Sequence, residues 1–214
     1  MKIRTIATGT HGRYLEDIPG HSRATLVGFH GYQENAAIHF EVLRQIAGGR
    51  SIGLVSVQGL HRFYTKSTDV VASWMTKEDR EQAIADNVAY VAKVLEAVAD
   101  ESAMTRPLIY VGFSQGVAMA YRAAVLAPRP SDGVIALAGD LPPDVVPLAA
   151  SLPRVLIGRG TGDKWYSGDL SAKDLAALKA AGVLATEHVF DGGHEWAPDF
   201  VARASQFVDE LLPS

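Results

Sequence analysis

Short apolar segments that alternate with helical patterns are the feature that most constrains the fold of this chain. Runs of β-branched or other apolar residues at 24–29, 51–57, 107–111 and 154–157 are each followed by glycine and then by a helical pattern. Further candidate strands at 133–138 and 185–190 keep the same rhythm, and 3–8 and 14–18 are candidate edge strands. Such alternation is typical of βαβ units. The sequence therefore predicts an α/β fold with a mostly parallel sheet and helices on both faces.

The longest predicted helix covers residues 78–98. Its apolar residues repeat at spacings of four and three and so share one face: Ile84, Val88, Val91, Leu95 and Val98. Thr76 and Asp79 form a candidate capping box at its start. Further helices are predicted at 35–47, 115–126, 169–181 and 199–212. Because no repeat, low-complexity tract or linker interrupts the 214 residues, residues 1–214 are expected to form a single domain.

Charge and composition exclude several classes of function. The chain has 20 Lys and Arg against 24 Asp and Glu, a net charge of -4, whereas a nucleic-acid binder needs a basic face. It has no cysteine, which excludes disulfides, Cys-ligated zinc, iron–sulfur clusters and a cysteine nucleophile. The longest apolar stretch, 116–127, is interrupted by Arg122, so no membrane span is expected. The N-terminus has no apolar signal core, and a cytoplasmic location is expected.

The sharpest chemical signal is the pattern G-x-S-x-G at Gly112, Ser114 and Gly116, between a predicted strand and a predicted helix. A nucleophile on such a tight turn needs flanking residues without side chains because neighbouring backbones approach closely. The turn also places Ser114 at a helix N-terminus, where free amides favour a developing negative charge. We therefore expect a nucleophilic serine; the alternative is a glycine-rich turn that carries an ordinary serine.

A serine nucleophile needs a base, and two histidines follow Ser114 in the chain. His188 lies within a predicted strand, where a structural role is expected. His194 lies on a loop ahead of the last helix, where a catalytic histidine belongs, and is the candidate base. A metal site built from His188, Asp191 and His194 is the alternative, but a serine-based site needs fewer assumptions.

The base in turn needs an acid that orients it. Asp163 follows the strand at 154–157 and is the candidate, because the carboxyl ends of parallel strands meet at one rim. Asp140, after the preceding strand, is its rival, and Asp191 is a weaker third candidate. The glycines within 158–162 lack the spacing of a dinucleotide-binding fingerprint, and no cofactor is expected.

The loop after the strand at 24–29 is the candidate second half of an oxyanion hole. Such a hole takes one backbone amide from the residue after the nucleophile, here Gln115, and another from this loop. Tyr32, directly after His30 and Gly31, is the candidate second donor. His30 itself is expected to brace the loop through hydrogen bonds and not to act as the base.

The chain resembles the phospholipase/carboxylesterase family of α/β-hydrolases. The resemblance is carried, in this order, by F-H-G at 29–31, G-F-S-Q-G at 112–116, Asp163 and the Gly193-His194 pair. That family includes acyl-protein thioesterases and small bacterial carboxylesterases. The resemblance implies an α/β-hydrolase fold and a triad of Ser114, Asp163 and His194, with the amides of Tyr32 and Gln115 as the oxyanion hole. Family members often carry glycine at the positions of Gln33 and Val117 of this chain.

The aromatic, irregular segment at 59–75 is expected to lie near the same rim. Four of its residues are candidates for lining an acyl pocket: Phe63, Tyr64, Trp74 and Met75. The alternative is that these side chains pack a long loop onto the domain, although family members carry a similar tryptophan here. His61 and Arg62 are candidates for contact with a polar or anionic substrate group.

These observations predict a metal-independent serine hydrolase that cleaves small-molecule esters or thioesters through an acyl-enzyme. Short acyl chains are expected because no large cap insertion is visible in the sequence. A lysophospholipase or an acyl-protein thioesterase, with a longer apolar groove, is the alternative enzyme. A non-catalytic binding module with the same fold is the alternative from a different class.

Overall fold

The computed structural model describes residues 1–102 and 104–213. The strands are β1 (Arg13–Asp17), β2 (Thr25–Phe29), β3 (Gly53–Gln58), β4 (His61–Tyr64), β5 (Val70–Ser73), β6 (Leu108–Phe113), β7 (Gly133–Leu137), β8 (Arg154–Gly160) and β9 (Ala185–Phe190). The α-helices are α1 (Ala36–Ala47), α2 (Arg80–Glu101), α3 (Gln115–Leu126), α4 (Gly168–Ala180) and α5 (Pro198–Leu211), and a short 3-10 helix covers Val146–Ser151.

The central sheet has seven strands in the order β1-β3-β2-β6-β7-β8-β9. Only β1 runs antiparallel to its neighbour; the other pairs are parallel, which confirms the predicted α/β fold with a mostly parallel sheet. In the parallel part, the carboxyl ends of β2, β6, β8 and β9 lie along one edge. The loops that leave these ends therefore converge, as is general for ligand sites of such sheets.

Helices cover both faces of the sheet, each over its own apolar core. On one face, α1 and α5 contribute Leu43, Phe200 and Phe207. On the other face, α2 contributes Val91 and Leu95, and α3 contributes Val117 and Met119. Burial on both faces explains why β2, β3, β6 and β7 contain no exposed residue.

Three sequence-based expectations need correction. Residues 3–8 form no strand, and the edge strand on this side of the sheet is β1, which pairs with β3. The capping box at the start of α2 is not formed: Asp79 adopts a left-handed backbone with φ 46° and its side chain makes no capping bond. The segment at 59–75 is not irregular but contains the antiparallel pair β4 and β5.

The arginine that interrupts the apolar run in α3 is fully buried. Arg122 donates two hydrogen bonds of 2.8 Å to the carboxylate of Asp144, and this contact holds the pKa of Asp144 below its usual value. A buried guanidinium paired in this bidentate way is compatible with a packed core. In the described part of the chain, no helix combines the length and apolar character that crossing a membrane requires.

His39 of α1 lies fully buried under β2, and burial lowers its pKa to about 3. An unfolded histidine has a pKa near 6.5, so between pH 7 and 5 the unfolded chain binds a proton that the folded chain excludes. This group alone is expected to lower the free energy of unfolding by about 2 kcal/mol over that range.

Urea unfolding at pH 7 and pH 5 tests this expectation on the parent and on His39→Gln. The variant should lose less stability between the two pH values than the parent does, whatever its stability at pH 7. His21→Gln, which removes an exposed histidine, should keep the parent's pH dependence. An unchanged pH dependence in His39→Gln would contradict the account.

Candidate active site

Ser114 occupies a sharp turn between β6 and α3, with φ 51° and ψ -118°. A Cβ atom on Gly116 would lie 2.0 Å from the carbonyl oxygen of Phe29, and one on Gly112 would lie 2.6 Å from the Cα of Val117. These separations are far below van der Waals contact, so only glycine fits at both positions. The two glycines thus let α3 pack against β2 and β6 while the serine is held at the carboxyl end of β6.

The structure brings three of the predicted side chains into one hydrogen-bonded row. His194 Nε2 lies 2.8 Å from Ser114 Oγ, and His194 Nδ1 lies 2.8 Å from Asp163 Oδ2. The other carboxylate oxygen, Asp163 Oδ1, accepts from the backbone N–H groups of Trp165 at 2.8 Å and Tyr166 at 3.0 Å. With both oxygens engaged and the side chain fully buried, the carboxylate has a fixed orientation.

Two glycine-containing loops bring the acid and the histidine together. The backbone N–H of Gly162, after β8, donates to the carbonyl oxygen of Gly192, after β9, at 2.8 Å. A Cβ on Gly160 would lie 2.3 Å from the carbonyl oxygen of Gly193. The glycines of 158–162 therefore allow close packing of the two loops, and His194 follows directly on the second loop.

The other residues considered for the base and the acid lie elsewhere. Within the described residues, neither Asp140 nor Asp191 is hydrogen-bonded to His194. His188 lies in β9 and makes a 2.8 Å contact with Asp199 of α5, as expected for a structural histidine. No group of three His, Asp or Glu side chains among these residues is arranged to hold a metal ion.

His30 braces the loop after β2 through both ring nitrogens. Its Nδ1 donates to the carbonyl oxygen of Gly31 at 2.6 Å, and its Nε2 accepts from the backbone N–H of Gly59 at 2.9 Å. Trp74 Nε1 donates to the His30 carbonyl oxygen at 2.8 Å. Burial lowers the pKa of His30 to about 4, so the ring is neutral at pH 7, the form that can both donate and accept.

The next residues of the loop form a tight turn closed by an acidic side chain. The backbone N–H of Gly31 donates to Glu34 Oε2 at 2.7 Å. Burial raises the pKa of Glu34, while the Gly31 N–H and the nearby His194 lower it. Gln33 adopts φ 63°. A left-handed conformation is natural for glycine and strained for glutamine.

The two candidate oxyanion donors come from different elements. Gln115 is the first residue of α3, so its backbone N–H has no partner within the helix. Among the described residues, neither this amide nor that of Tyr32 donates to another backbone group outside the regular elements. The ring of Tyr32 stacks on Phe63 of β4, with centroids 5.5 Å apart, which ties the loop to the hairpin.

The side chain of Gln115 makes contacts that the sequence did not indicate. Its Oε1 accepts from the backbone N–H of Trp74 at 2.8 Å and from Ser73 Oγ at 3.2 Å, and its Nε2 donates to the carbonyl oxygen of Met75 at 2.9 Å. The residue after the serine therefore fixes the chain at the end of β5. The partners are about 40 positions apart, so no local pattern could indicate this contact.

A cavity of about 410 Å³ opens beside Ser114 and His194. Its walls come from the end of β5 and the turn into α2, the start of α3, the loop after β7 and the loop after β8. The lining residues are Met75, Thr76, Lys77, Arg80, Ser114, Gln115, Ala118, Ala138, Gly139, Asp140, Trp165, Tyr166 and His194.

Of the four residues proposed from the sequence to line an acyl pocket, only Met75 lines this cavity. Trp74 is fully buried in the core beside Phe29, with ring centroids 5.7 Å apart. Phe63 stacks on Tyr32, and Tyr64 is 74% exposed on the hairpin. The difference arises because the hairpin of β4 and β5, which no local signal indicated, sets which side chains face the cavity.

The parallel sheet and the serine turn at the end of β6 define the α/β-hydrolase class. The model of the Phospholipase/Carboxylesterase family matches residues 19–212. The chain therefore belongs to this family of hydrolytic enzymes. At the level of sequence, no curated protein matches the chain.

Solved structures share this fold over most of the chain. The crystal structure of esterase PE8 is 26% identical with a TM-score of 0.72, covering 94% of this chain and 98% of its own. The Bacillus cereus carboxylesterase is 17% identical with a TM-score of 0.72, covering 93% and 94%. Acyl-protein thioesterase 2 from Zea mays is 18% identical with a TM-score of 0.67, covering 94% and 99%. The last two likenesses concern the fold alone.

The strained loop residue gives a direct stability prediction. Gln33→Gly should raise the free energy of unfolding by about 0.5–1 kcal/mol, because glycine adopts φ 63° without steric cost. Gln33→Val should lower it by about 1 kcal/mol or more, since a β-branched residue tolerates this conformation least. Urea denaturation measures both. Gln206→Gly in α5, where the backbone is helical, should be destabilising, and a loss of stability in Gln33→Gly would contradict the account.

Proposed function

We propose that the chain is a serine esterase that hydrolyses carboxylic esters through a Ser114, His194 and Asp163 triad. The observation that carries the proposal is the pair of 2.8 Å contacts that joins Ser114 Oγ to His194 Nε2 and His194 Nδ1 to Asp163 Oδ2. This order of nucleophile, base and orienting acid is what acyl transfer by serine requires. We further propose that residues 1–214 act as a single domain without a cofactor; a cytoplasmic location stays a prediction.

In the first half-reaction, Ser114 Oγ attacks the carbonyl carbon of the ester while His194 Nε2 takes the hydroxyl proton. Asp163 accepts the Nδ1 proton of His194, holds the ring in the required tautomer and stabilises the imidazolium. The tetrahedral intermediate collapses when the imidazolium gives its proton to the leaving alcohol oxygen. An acyl group then remains on Ser114.

The negative charge on the carbonyl oxygen of that intermediate needs donors. The backbone N–H of Gln115, at the start of α3, and that of Tyr32, on the braced loop, are proposed for this role. In the second half-reaction, His194 takes a proton from water as the water attacks the acyl carbonyl. The acid leaves when His194 returns that proton to Ser114 Oγ, and the enzyme is restored.

Short acyl chains are the proposed substrates. The cavity of about 410 Å³ lies near the lower end of the range for small-molecule sites. Its apolar side chains, including Met75, Ala118 and Trp165, come from three separate elements: the segment after β5, α3 and the loop after β8. A longer groove is what a lysophospholipase or an acyl-protein thioesterase would use for its substrate.

The roles of the two rival carboxylates are separated by parallel substitutions. Asp163→Asn should lower kcat for a neutral ester by about 10⁴-fold, because an amide that donates to Nδ1 favours the wrong histidine tautomer. Asp140→Asn should lower kcat by less than about tenfold, since Asp140 is not hydrogen-bonded to the imidazole of His194. Ser114→Ala, purified in the same way, sets the background rate. Equal losses in the two Asp variants, or turnover by Ser114→Ala, would contradict the proposed triad.

The proposed chain-length preference is tested with 4-nitrophenyl esters of linear acids from two to twelve carbons. The value of kcat/KM should be highest between about two and six carbons and should fall beyond that, because longer chains extend past the cavity. A maximum at eight or more carbons would instead favour the lysophospholipase or thioesterase alternative. Binding of esters without any turnover would favour the binding module.

A further inference from the structure

The turn between β5 and α2 distributes its charged side chains between two cavities. Lys77 and Arg80 line the cavity beside Ser114. Glu78 and Asp79 line a separate cavity, next to the N-terminal segment. The left-handed conformation of Asp79 interrupts the regular direction of the chain just before α2 begins. The two positive residues of this turn thus line the cavity at the candidate active site, and its two negative residues line the other cavity.

The two cations of this wall have no carboxylate partner of their own. Among the described residues, neither Lys77 nor Arg80 forms an ion pair. The charge of Arg80 contributes to lowering the pKa of Asp144, but the carboxylate of Asp144 accepts two hydrogen bonds from Arg122. Asp140 is the one cavity-lining carboxylate in the described part of the chain. In the described part of the chain, the cavity beside the serine therefore has two positive side chains, Lys77 and Arg80, against the one carboxylate of Asp140.

The remaining walls suit the carbon part of a small substrate. Ala118, Ala138 and Met75 are apolar, and Trp165, which is 80% exposed, offers a flat aromatic face. A ligand that combines a short carbon chain with an anionic end would match both parts of the cavity. A neutral ester of the same length would leave the two cations without a partner.

We propose that Lys77 and Arg80 select esters that carry a second, anionic group, so that carboxylate-bearing esters are the preferred substrates. The proposal rests on the proposed esterase function and names its substrate class. The carboxylate would lie against the two cations while the ester carbonyl lies at Ser114. Both cations are exposed to solvent, so each alone contributes only modestly to the preference for the anionic ester. The preference comes from the two acting together.

The experiment compares esters that differ only in a terminal carboxylate. In one arm the anionic group is on the acyl side: the 4-nitrophenyl half-ester of adipic acid against 4-nitrophenyl hexanoate. In the other arm the anionic group is on the alcohol side: 4-acetoxybutanoate is compared with butyl acetate, and hydrolysis is measured by the release of acid. The quantity measured is the ratio of kcat/KM for the anionic ester to that for the neutral ester, at low ionic strength and with spontaneous hydrolysis subtracted.

The parent should give a ratio above one in at least one arm. Lys77→Met and Arg80→Leu should each lower that ratio about threefold, and the double variant about tenfold. Lys179→Met, which removes one exposed positive charge from the far end of α4, should keep the parent's ratio. Inhibition of neutral ester hydrolysis by free adipate is a second readout, and its inhibition constant should rise about tenfold in the double variant.

A double variant that keeps the parent's ratio in both arms and the parent's inhibition by adipate would overturn the assignment. In that case, hydrolysis of the neutral esters by the parent would leave the esterase function intact, so the two failures are distinguishable. Absence of hydrolysis of every ester by folded parent protein would overturn both proposals together. Thermal unfolding of each variant confirms that a changed ratio does not reflect loss of structure.

Discussion

The close approach of α3 to the strands β2 and β6 is the constraint on which the site depends. A Cβ atom on Gly116 would lie 2.0 Å from the carbonyl oxygen of Phe29, and one on Gly139 would lie 2.4 Å from the carbonyl oxygen of Ser114. Within this packing Ser114 adopts φ 51°, a value that non-glycine residues rarely have. Gln115, the first residue of α3, directly follows Ser114 and lines the cavity.

The rest of the site is built around that turn by contacts between distant segments. Asp163 is buried but accepts from two backbone amides and from His194, so its polar atoms have partners and the cost of burial is offset. The side chain of Gln115 fixes the end of β5, and the ring of His30 fixes the loop that carries Tyr32. Ser114, His194, Asp163 and Gln115 are thus each held by at least one hydrogen bond from another element, and the ring of Tyr32 stacks on Phe63, which is the kind of positioning that the proposed reaction requires.

Much of this arrangement could be predicted from the sequence because its signals are local. The strand at 185–190 and the helix at 115–126 were predicted with the bounds found, and the G-F-S-Q-G turn indicated its strand and helix. The hairpin of β4 and β5 has no comparable local signal, so the walls of the cavity were predicted poorly. Trp74 illustrates the difference: an aromatic residue beside a site packs into the core or lines the pocket according to tertiary contacts alone, and here it is buried. The choice between Asp163 and Asp140 likewise depended on loop packing, through the contact of Gly162 with Gly192.

The central claim is that Ser114 is an activated nucleophile, and covalent labelling tests it most directly. Parent protein and Ser114→Ala are incubated with a fluorophosphonate, which reacts with activated serines, and the intact mass of each is measured. The account expects one adduct on the parent and none on folded Ser114→Ala. An unmodified parent, or the same adduct on Ser114→Ala, would contradict it.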